Sequence, residues 1–502
     1  MKGFLTNGMH RKGIGSRRWN WLLALPLAVG LLGVQAQVSI SRADTTTVAQ
    51  DGSDANSTLA QTGEKLALQV LQAPAMKKAI AKALQDFETS DMANKPDGLR
   101  YVKSATDEAA FYAALNAAMG NLPDPVFFWS SGSPRKWNGY TLPGSRWFGD
   151  NADTLYRSAL IDEASTYEVT LHVGDTLPSQ ISVLVYNWLM YEGGTAASND
   201  VPLAALEITD ATPRNPDGTI TLLAGPDPAN GRPNYLQLKP GAKQIFIREI
   251  RGDGSLPAVG LSVKRTSGEP RKAKSLEELG EVAATYLAGG VVATNNVTKV
   301  FGDLSENNLG PVRVRWAEEA GTTEKKMITE EVLRPDQAVG FISSGLFNLK
   351  EDEALVMTLK TMGTKYVSIN TYRPFIVSPE NVYGSSSLNN FQTKANPDGS
   401  ITFVLARKDP GVYNWLDVAG IPYGFIAVRW QGLTHPVAGT SANGIGSVKV
   451  VKLSDLKADL PPTTVWVTPA ERNEQRANRA KQYMLRCLGT PCEAGGELDK
   501  PY

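Results

Sequence analysis

Asp153, Tyr156 and Arg157 fall within five residues of one another, in the run Asp150-Asn151-Ala152-Asp153-Thr154-Leu155-Tyr156-Arg157. An acid, a phenol and a guanidinium at this spacing can orient a polar ligand or take part in proton transfer, which makes them the catalytic candidates. The plainer reading, which we prefer, has Tyr156 packed at a sheet edge and Asp153 paired with Arg157 to close a turn. Asp417 is a further acid on which such a site can draw. Aromatic residues supply a second candidate chemistry. Phe127, Phe128, Trp129, Trp137, Tyr140 and Trp147 are followed by Tyr186, Trp188 and Tyr191. Flat side chains with polar tips suit sugars or amphipathic rings, through stacking plus hydrogen bonds. The ligand-binding candidates are Tyr186, Trp188, Tyr372, Arg373, Asn414 and Trp415; the alternative is that the aromatic groups cover a junction between helices and sheet.

Motifs with fixed chemistry are missing. There is no Gly-x-Ser-x-Gly, no Gly-x4-Gly-Lys-Ser/Thr, no His-Glu-x-x-His and no strand-borne Gly-x-Gly-x-x-Gly, which counts against nucleotide-dependent and classical hydrolase chemistry. No cofactor is expected. Beyond the leader only His172 and His435 occur, and the two cysteines are Cys487 and Cys492. A His/Cys metal site is therefore not expected, although a carboxylate-only site stays open. A Cys-x4-Cys pair in an oxidising compartment is expected to close a small disulfide loop.

The start of the chain explains why an oxidising compartment is expected. Residues 1–36 carry Lys2, Arg11, Lys12, Arg17 and Arg18 and no acid, then the apolar run Trp21 to Val34, then Val34-Gln35-Ala36. This is the order of a signal peptide, and the apolar run falls short of the ~20 residues that span a bilayer. Export to the bacterial periplasm or medium is expected, with cleavage after Ala36 and no membrane anchor thereafter. Ser16-Arg17-Arg18-Trp19 resembles a twin-arginine signal; the general secretory route is the expected one, because arginine pairs are common in basic leaders. The whole chain has 51 basic and 51 acidic residues, so loss of five leader cations leaves 46 against 51, a net −5. A mildly acidic body argues against nucleic acid as a partner and leaves a small-molecule or glycan-like ligand. Oligomeric state is not legible.

Residues 37–63, rich in Ser, Thr, Asp, Ala and Gln, read as a flexible tether. Leu66, Val70, Leu71, Met76, Ile80, Leu84 and Phe87, then Phe111, Leu115 and Met119, recur at helical spacing and define a helical region over 64–122 that breaks near Pro74. Beyond Pro123 short alternating runs separated by Gly, Pro, Asn and Asp predict antiparallel sheet. An internal duplication organises it. Asn215-Pro216-Asp217-Gly218-Thr219-Ile220-Thr221 recurs as Asn396-Pro397-Asp398-Gly399-Ser400-Ile401-Thr402. Each copy continues through Asp-Pro (Asp227, Asp409) and Asn-aromatic-Leu (Asn234-Tyr235-Leu236, Asn414-Trp415-Leu416) to a strand ending in arginine, Arg248 or Arg429. Upstream, Ile181-Ser182-Val183 corresponds to Val367-Ser368-Ile369. Asn-Pro-Asp-Gly reads as a hairpin turn, and the paired arginines read as structural ties to the Asn-aromatic-Leu loop of their own copy.

The fold class is thus mainly β with helical additions. It comprises two homologous antiparallel units, sandwich or jelly-roll-like, over 123–270 and 326–455. A helical linker over 271–325, opened by the capping box Ser275-Leu276-Glu277-Glu278, separates them. A tail over 456–502 carries a charged helix and the disulfide. The Asp150–Arg157 run, and the segment from Asn396-Pro397-Asp398-Gly399 through Asn414-Trp415-Leu416 to Phe425 and Arg429, resemble the paired bacterial domains of unknown function numbered 1254 and 1214. The second resemblance covers about residues 340–432 and is the closer; the first covers about 145–250. Asp417-Val418-Ala419 replaces the Pro-Ala-Pro usual in the family. The resemblance implies an exported, β-rich protein with jelly-roll-like sandwiches and transfers no chemistry. The working function is a binder of small or oligomeric neutral or amphipathic ligands in an aromatic-lined cleft near Tyr156, Trp188 and Tyr372. The alternatives are a periplasmic hydrolase or lyase built on scattered Asp, Tyr and Arg residues, and a structural envelope module. Whether the chain is an enzyme stays open.

Overall fold

The computed structural model describes residues 55, 57–146, 149–187, 189, 202–306, 314–316, 340–380, 382, 384–433, 444–487 and 492–494. The leader, the tether up to residue 54, and Trp147, Trp188, Tyr191 and His435 lie outside these residues. Three helices open the body: α1 (Thr58–Val70), α2 (Pro74–Glu88) and α3 (Gly98–Met119). Helix α1 begins ahead of residue 64, inside the segment read as tether. Ser57 is extended and its Oγ accepts from Ala60 N at 3.2 Å, satisfying one of the orphan donors of the first turn. One large apolar residue in that turn, Leu59, is too little for periodicity to register. Pro74 falls at the first position of α2, where its missing N–H costs nothing.

Helix α3 is rich in alanine and buried on almost every side, because α1, α2 and α4 (Leu276–Glu306) surround it. The capping box of α4 forms as its sequence predicts: Glu278 N donates to Ser275 Oγ (3.2 Å) and Ser275 N to Glu278 Oε2 (2.7 Å). Leu279 and Leu287 of α4 are buried while Leu276 is exposed. The segment between the β units is therefore the fourth member of the helical layer as well as a connection.

The first β unit stacks two sheets. One has the order β1 (Phe128–Ser131), β4 (Thr154–Leu160), β10 (Gln244–Ile250), β6 (Gln180–Tyr186), β7 (Ala204–Ile208). The other runs β11 (Gly260–Ser267), β5 (Thr166–His172), β8 (Ile220–Gly225), β9 (Tyr235–Gln237). The second unit repeats this position for position. Its five-stranded sheet is β12 (Val314–Trp316), β13 (Gly340–Asn348), β19 (Tyr423–Leu433), β15 (Thr364–Tyr372), β16 (Ser387–Asn389). Its four-stranded sheet is β20 (Ile445–Lys452), β14 (Glu353–Leu359), β17 (Ile401–Ala406), β18 (Trp415–Asp417). Even the parallel pairs correspond, β8 with β9 and β17 with β18, in sheets otherwise antiparallel. β12 falls within the range read as linker, so the second unit starts earlier than residue 326.

Period-2 alternation builds both cores. Ile181, Val183, Ile245 and Ile247 pack on Val169, Leu171, Leu222 and Leu261 in the first. In the second, Val367, Ile369, Val428 and Trp430 share a cluster with Leu355, Met357, Phe403 and Leu405 that extends into the helices. Phe87 of α2 meets Phe375 with ring centroids 4.9 Å apart.

The duplicated turns are alike bond for bond. Gly218 and Gly399 take φ of +84° and +81°, which favours glycine. Asn215 Nδ2 donates to Thr219 and Thr221 hydroxyls (2.9 and 2.8 Å), and Asn396 Nδ2 to those of Ser400 and Thr402 (2.9 Å each). They are not hairpins. β7 and β8, like β16 and β17, lie in different sheets, so each turn ends a crossing from one sheet to the other. The chemistry that makes Asn-Pro-Asp-Gly a good turn specifies the reversal, not which strand receives it.

A fifth, small sheet ties the C-terminal segment to the first β unit: β21 (Cys492–Ala494) pairs with β2 (Arg135–Trp137), which pairs with β3 (Tyr140–Leu142). Before β21 come a short turn α5 (Leu456–Asp459) and α6 (Pro469–Met484), capped reciprocally by Thr468 and Glu471. No described helix is long and apolar enough to cross a membrane.

Candidate functional site

Alternation along β4 sends Tyr156 and Arg157 to opposite faces, so the three catalytic candidates do not converge. Arg157 points into the first sandwich, has no solvent exposure, and pairs with equally buried Glu249. Glu249 also accepts from Val259 N at 3.2 Å. The expected Asp153–Arg157 pair is thus replaced by Arg157–Glu249.

Asp153 binds elsewhere. Its carboxylate accepts from Tyr366 Oη (2.8 Å) and Asn389 Nδ2 (2.9 Å) of the second unit and pairs with Arg479 Nη1 of α6 (2.8 Å). Asn151 Oδ1 accepts from Asp153 N at 2.9 Å and fixes the approach. A carboxylate held by donors from three parts of the chain acts as a joint between them. Burial and the Asp153 charge push the Tyr366 hydroxyl well above the usual phenol range.

Tyr156 does not sit at an edge, since β4 lies between β1 and β10. Its hydroxyl accepts from Asn151 N at 3.0 Å. Its ring stacks on Phe246 (5.9 Å between centroids), which meets Tyr186 edge-on (6.0 Å). The register places Tyr156, Arg248, Ser182 and Glu207 side by side across four strands on this outer face. The matching row of the second unit is Ile342, Arg429, Ser368 and Asn389. The repeated serines and arginines therefore occupy equivalent cross-strand positions.

The two arginines diverge in what they touch. Arg429 Nη2 donates to Gly149 O (2.6 Å) and to Tyr372 Oη (3.1 Å), tying the second sheet to a loop of the first unit; the predicted tie was to its own Asn-aromatic-Leu loop. Tyr372 donates to the same carbonyl (3.2 Å), and burial pushes its hydroxyl up to about 12. The Arg248 side chain has no hydrogen bond or ion pair to any described residue; its guanidinium carbon lies 5.9 Å from the centroid of the Tyr156 ring, and its Nε is buried without an acceptor among them. Beside it, Gln180 Nε2 donates to Glu207 Oε2 (3.3 Å), while Glu207 Oε1 has no partner among the described residues. Burial pushes the Glu207 carboxyl up to about 7, against the opposing pull of Ser182, Gln180 and the Arg248 charge.

Three other binding candidates have structural partners. Arg373 Nη2 reaches Glu108 Oε1 of α3 (3.5 Å), a carboxylate also held by Arg146 Nη2 (2.7 Å). Asn414 Nδ2 donates to Thr402 O and Lys394 O, bracing the repeated turn, as Asn234 braces Thr221 O. Trp415 donates to Ala406 O (3.1 Å) beneath Arg472 and Arg476 of α6. Asp417 accepts from Ala419 N (2.8 Å), and burial raises its carboxyl. Trp129 and Trp137, stacked 5.4 Å apart with Arg135 against both rings, cover the junction of helices and sheet. There buried Glu64 accepts from Arg135, Trp137 and Tyr140. Cys487 is buried in a short turn just past the end of α6.

Sequence reasoning missed Glu207, Gln180, Arg251, Tyr366, Asn389 and Arg479. The repeated Ser-Val/Ile alternation was the one signal able to mark the outer-face row.

These observations define a tandem double β-sandwich whose outer sheet faces carry polar rows, clasped by helices from both chain ends. Residues 352–429, within the second sandwich, match the family described as a protein of unknown function, DUF1214. An uncharacterized protein of Burkholderia cenocepacia shares the fold, with a TM-score of 0.60 and 19% identity, over 77% of this chain and 99% of that one. A protein of Vibrio parahaemolyticus aligns over 74% of this chain and 98% of its own with a TM-score of 0.35 and 12% identity. No curated protein matches.

Proposed function

We propose that this chain is an exported binding protein for a neutral, glycan-like ligand, seated on the outer face of the first five-stranded sheet. The observation that carries the reading is Arg248: its repeat mate Arg429 is committed to the fold, whereas Arg248 has no acceptor among the described residues. It lies beside a ladder of aromatic rings, Tyr156, Phe246 and Tyr186, and near Glu207. Rings stack on a sugar face while a guanidinium and a carboxyl bracket its hydroxyls as donor and acceptor. Calorimetric titration of neutral oligosaccharides against wild type, Arg248→Ala and Phe246→Ala tests this. Each substitution is expected to weaken binding about tenfold or more. Equal affinities in all three proteins, or no binding by wild type, would place the seat elsewhere or leave a structural module.

A hydrolase or lyase is the second reading, favoured by Glu207, whose carboxyl titrates near neutrality. The proposal also takes residues 145–250 as the 1254-type partner of the matched domain, places the protein outside the cytoplasm and pairs Cys487 with Cys492. A secreted form beginning at Gln37, with both thiols resisting alkylation until reduced, is the expected observation; a secreted form beginning at Met1 contradicts it.

A further inference from the structure

Beneath α6 lies a cavity of about 20 Å³, bordered by Asp153, Thr154, Arg251, Arg479, Tyr483 and Arg486. Its wall is rich in cationic donors that no described residue matches. Arg479 gives one nitrogen to Asp153, and its Nε and Nη2 are buried without acceptors. Arg251 donates through Nη2 to Gly254 O (2.8 Å) and Leu256 O, its Nε is likewise unmatched, and so is Thr154 Oγ1. Arg486 donates to Ala152 O (3.2 Å) and Thr154 O (3.1 Å). Neither Arg251 nor Arg486 forms an ion pair among the described residues. The nearby carboxylates are already engaged, Asp153 by Arg479 and Glu249 by Arg157. Burial depresses the pKa of Arg251, and the Arg486 charge adds to this.

Buried guanidinium charge without a counter-charge is costly, and each unmet buried donor adds to that cost. An anion in the cavity removes both penalties. The available space decides its class. About 10–15 Å³ in this measure admits one water-sized group, so the space of about 20 Å³ favours a single-atom anion over a tetrahedral oxyanion of five heavy atoms.

We infer that the cavity is a halide site which, with modest rotation of Arg479 and Arg251, joins the first sandwich to the C-terminal helix. Bromide serves as the probe. In crystals of the full chain grown with bromide, an anomalous peak is expected between Arg251 and Arg479. In solution, replacing gluconate by bromide at equal ionic strength is expected to raise the wild-type Tm by about 2–4 °C and to leave Arg251→Gln unmoved. If Arg251→Gln fails to fold, the crystallographic peak alone decides. Absence of the peak, or an equal bromide shift in a folded Arg251→Gln protein, overturns the site and leaves a cavity that holds water only.

Discussion

Glu249→Ala is expected to destabilise the first sandwich by about 3–5 kcal/mol, the usual consequence of removing one partner of a buried ion pair. Arg157 and Glu249 are both without solvent exposure, and the carboxylate also accepts the Val259 amide. The substitution therefore strands a cation in a dry core and leaves a backbone N–H without its acceptor. Glu249→Gln keeps an oxygen for Val259 N and is expected to cost less. Joint replacement, Arg157→Met with Glu249→Gln, is expected to recover most of the loss, because the pair's own attraction is largely offset by desolvation. Urea unfolding followed by tryptophan fluorescence and far-UV circular dichroism measures the series. A Glu249→Ala protein within about 1 kcal/mol of wild type contradicts the account.

Glu207 gives the second large effect, and its sign is set by the direction of the shift. The folded-state carboxyl titrates at about 7 against an ordinary 4.5, so between these values the native state holds a proton that the unfolded chain has released. The stability that this proton confers is fully present below about pH 4.5 and is lost as pH rises through about 7. Glu207→Gln, which stays neutral, is expected to remove that slope and to be more stable than wild type at pH 8 by on the order of 2 kcal/mol. Thermal unfolding across this range checks it. Identical slopes in the two proteins sink the claim. The same variant separates the two functional readings: retained ligand binding with lost turnover identifies Glu207 as an acid or base, whereas weakened binding without any turnover assigns it to the seat.

Much of this architecture was legible in the chain. The capping box of Ser275 and Glu278, the helix start at Pro74, and the duplicated Asn-Pro-Asp-Gly turns act through bonds spanning a few residues. Local chemistry of that range determines the same structure in any context, so it could be read directly. The repeat went further, because two copies with the same turns and the same apolar alternation implied two sandwiches of the same design.

The candidate site was less legible, because its contacts cross long stretches of chain. Tyr156 and Arg157 are neighbours in sequence, yet the pleat sends one toward the outer face and the other into the core, where it meets Glu249. Asp153 finds Tyr366, Asn389 and Arg479 only once both sandwiches and the tail helix have assembled. By itself the sequence determined the elements, their caps and turns, and the duplication. Tertiary structure alone decided which charges meet. Residues so far apart along the chain carry no local signal of their partners, and burial then makes each pairing obligatory. That is how two matched arginines came to differ, Arg429 locked to Gly149 and Tyr372 while the Arg248 guanidinium meets no acceptor among the described residues.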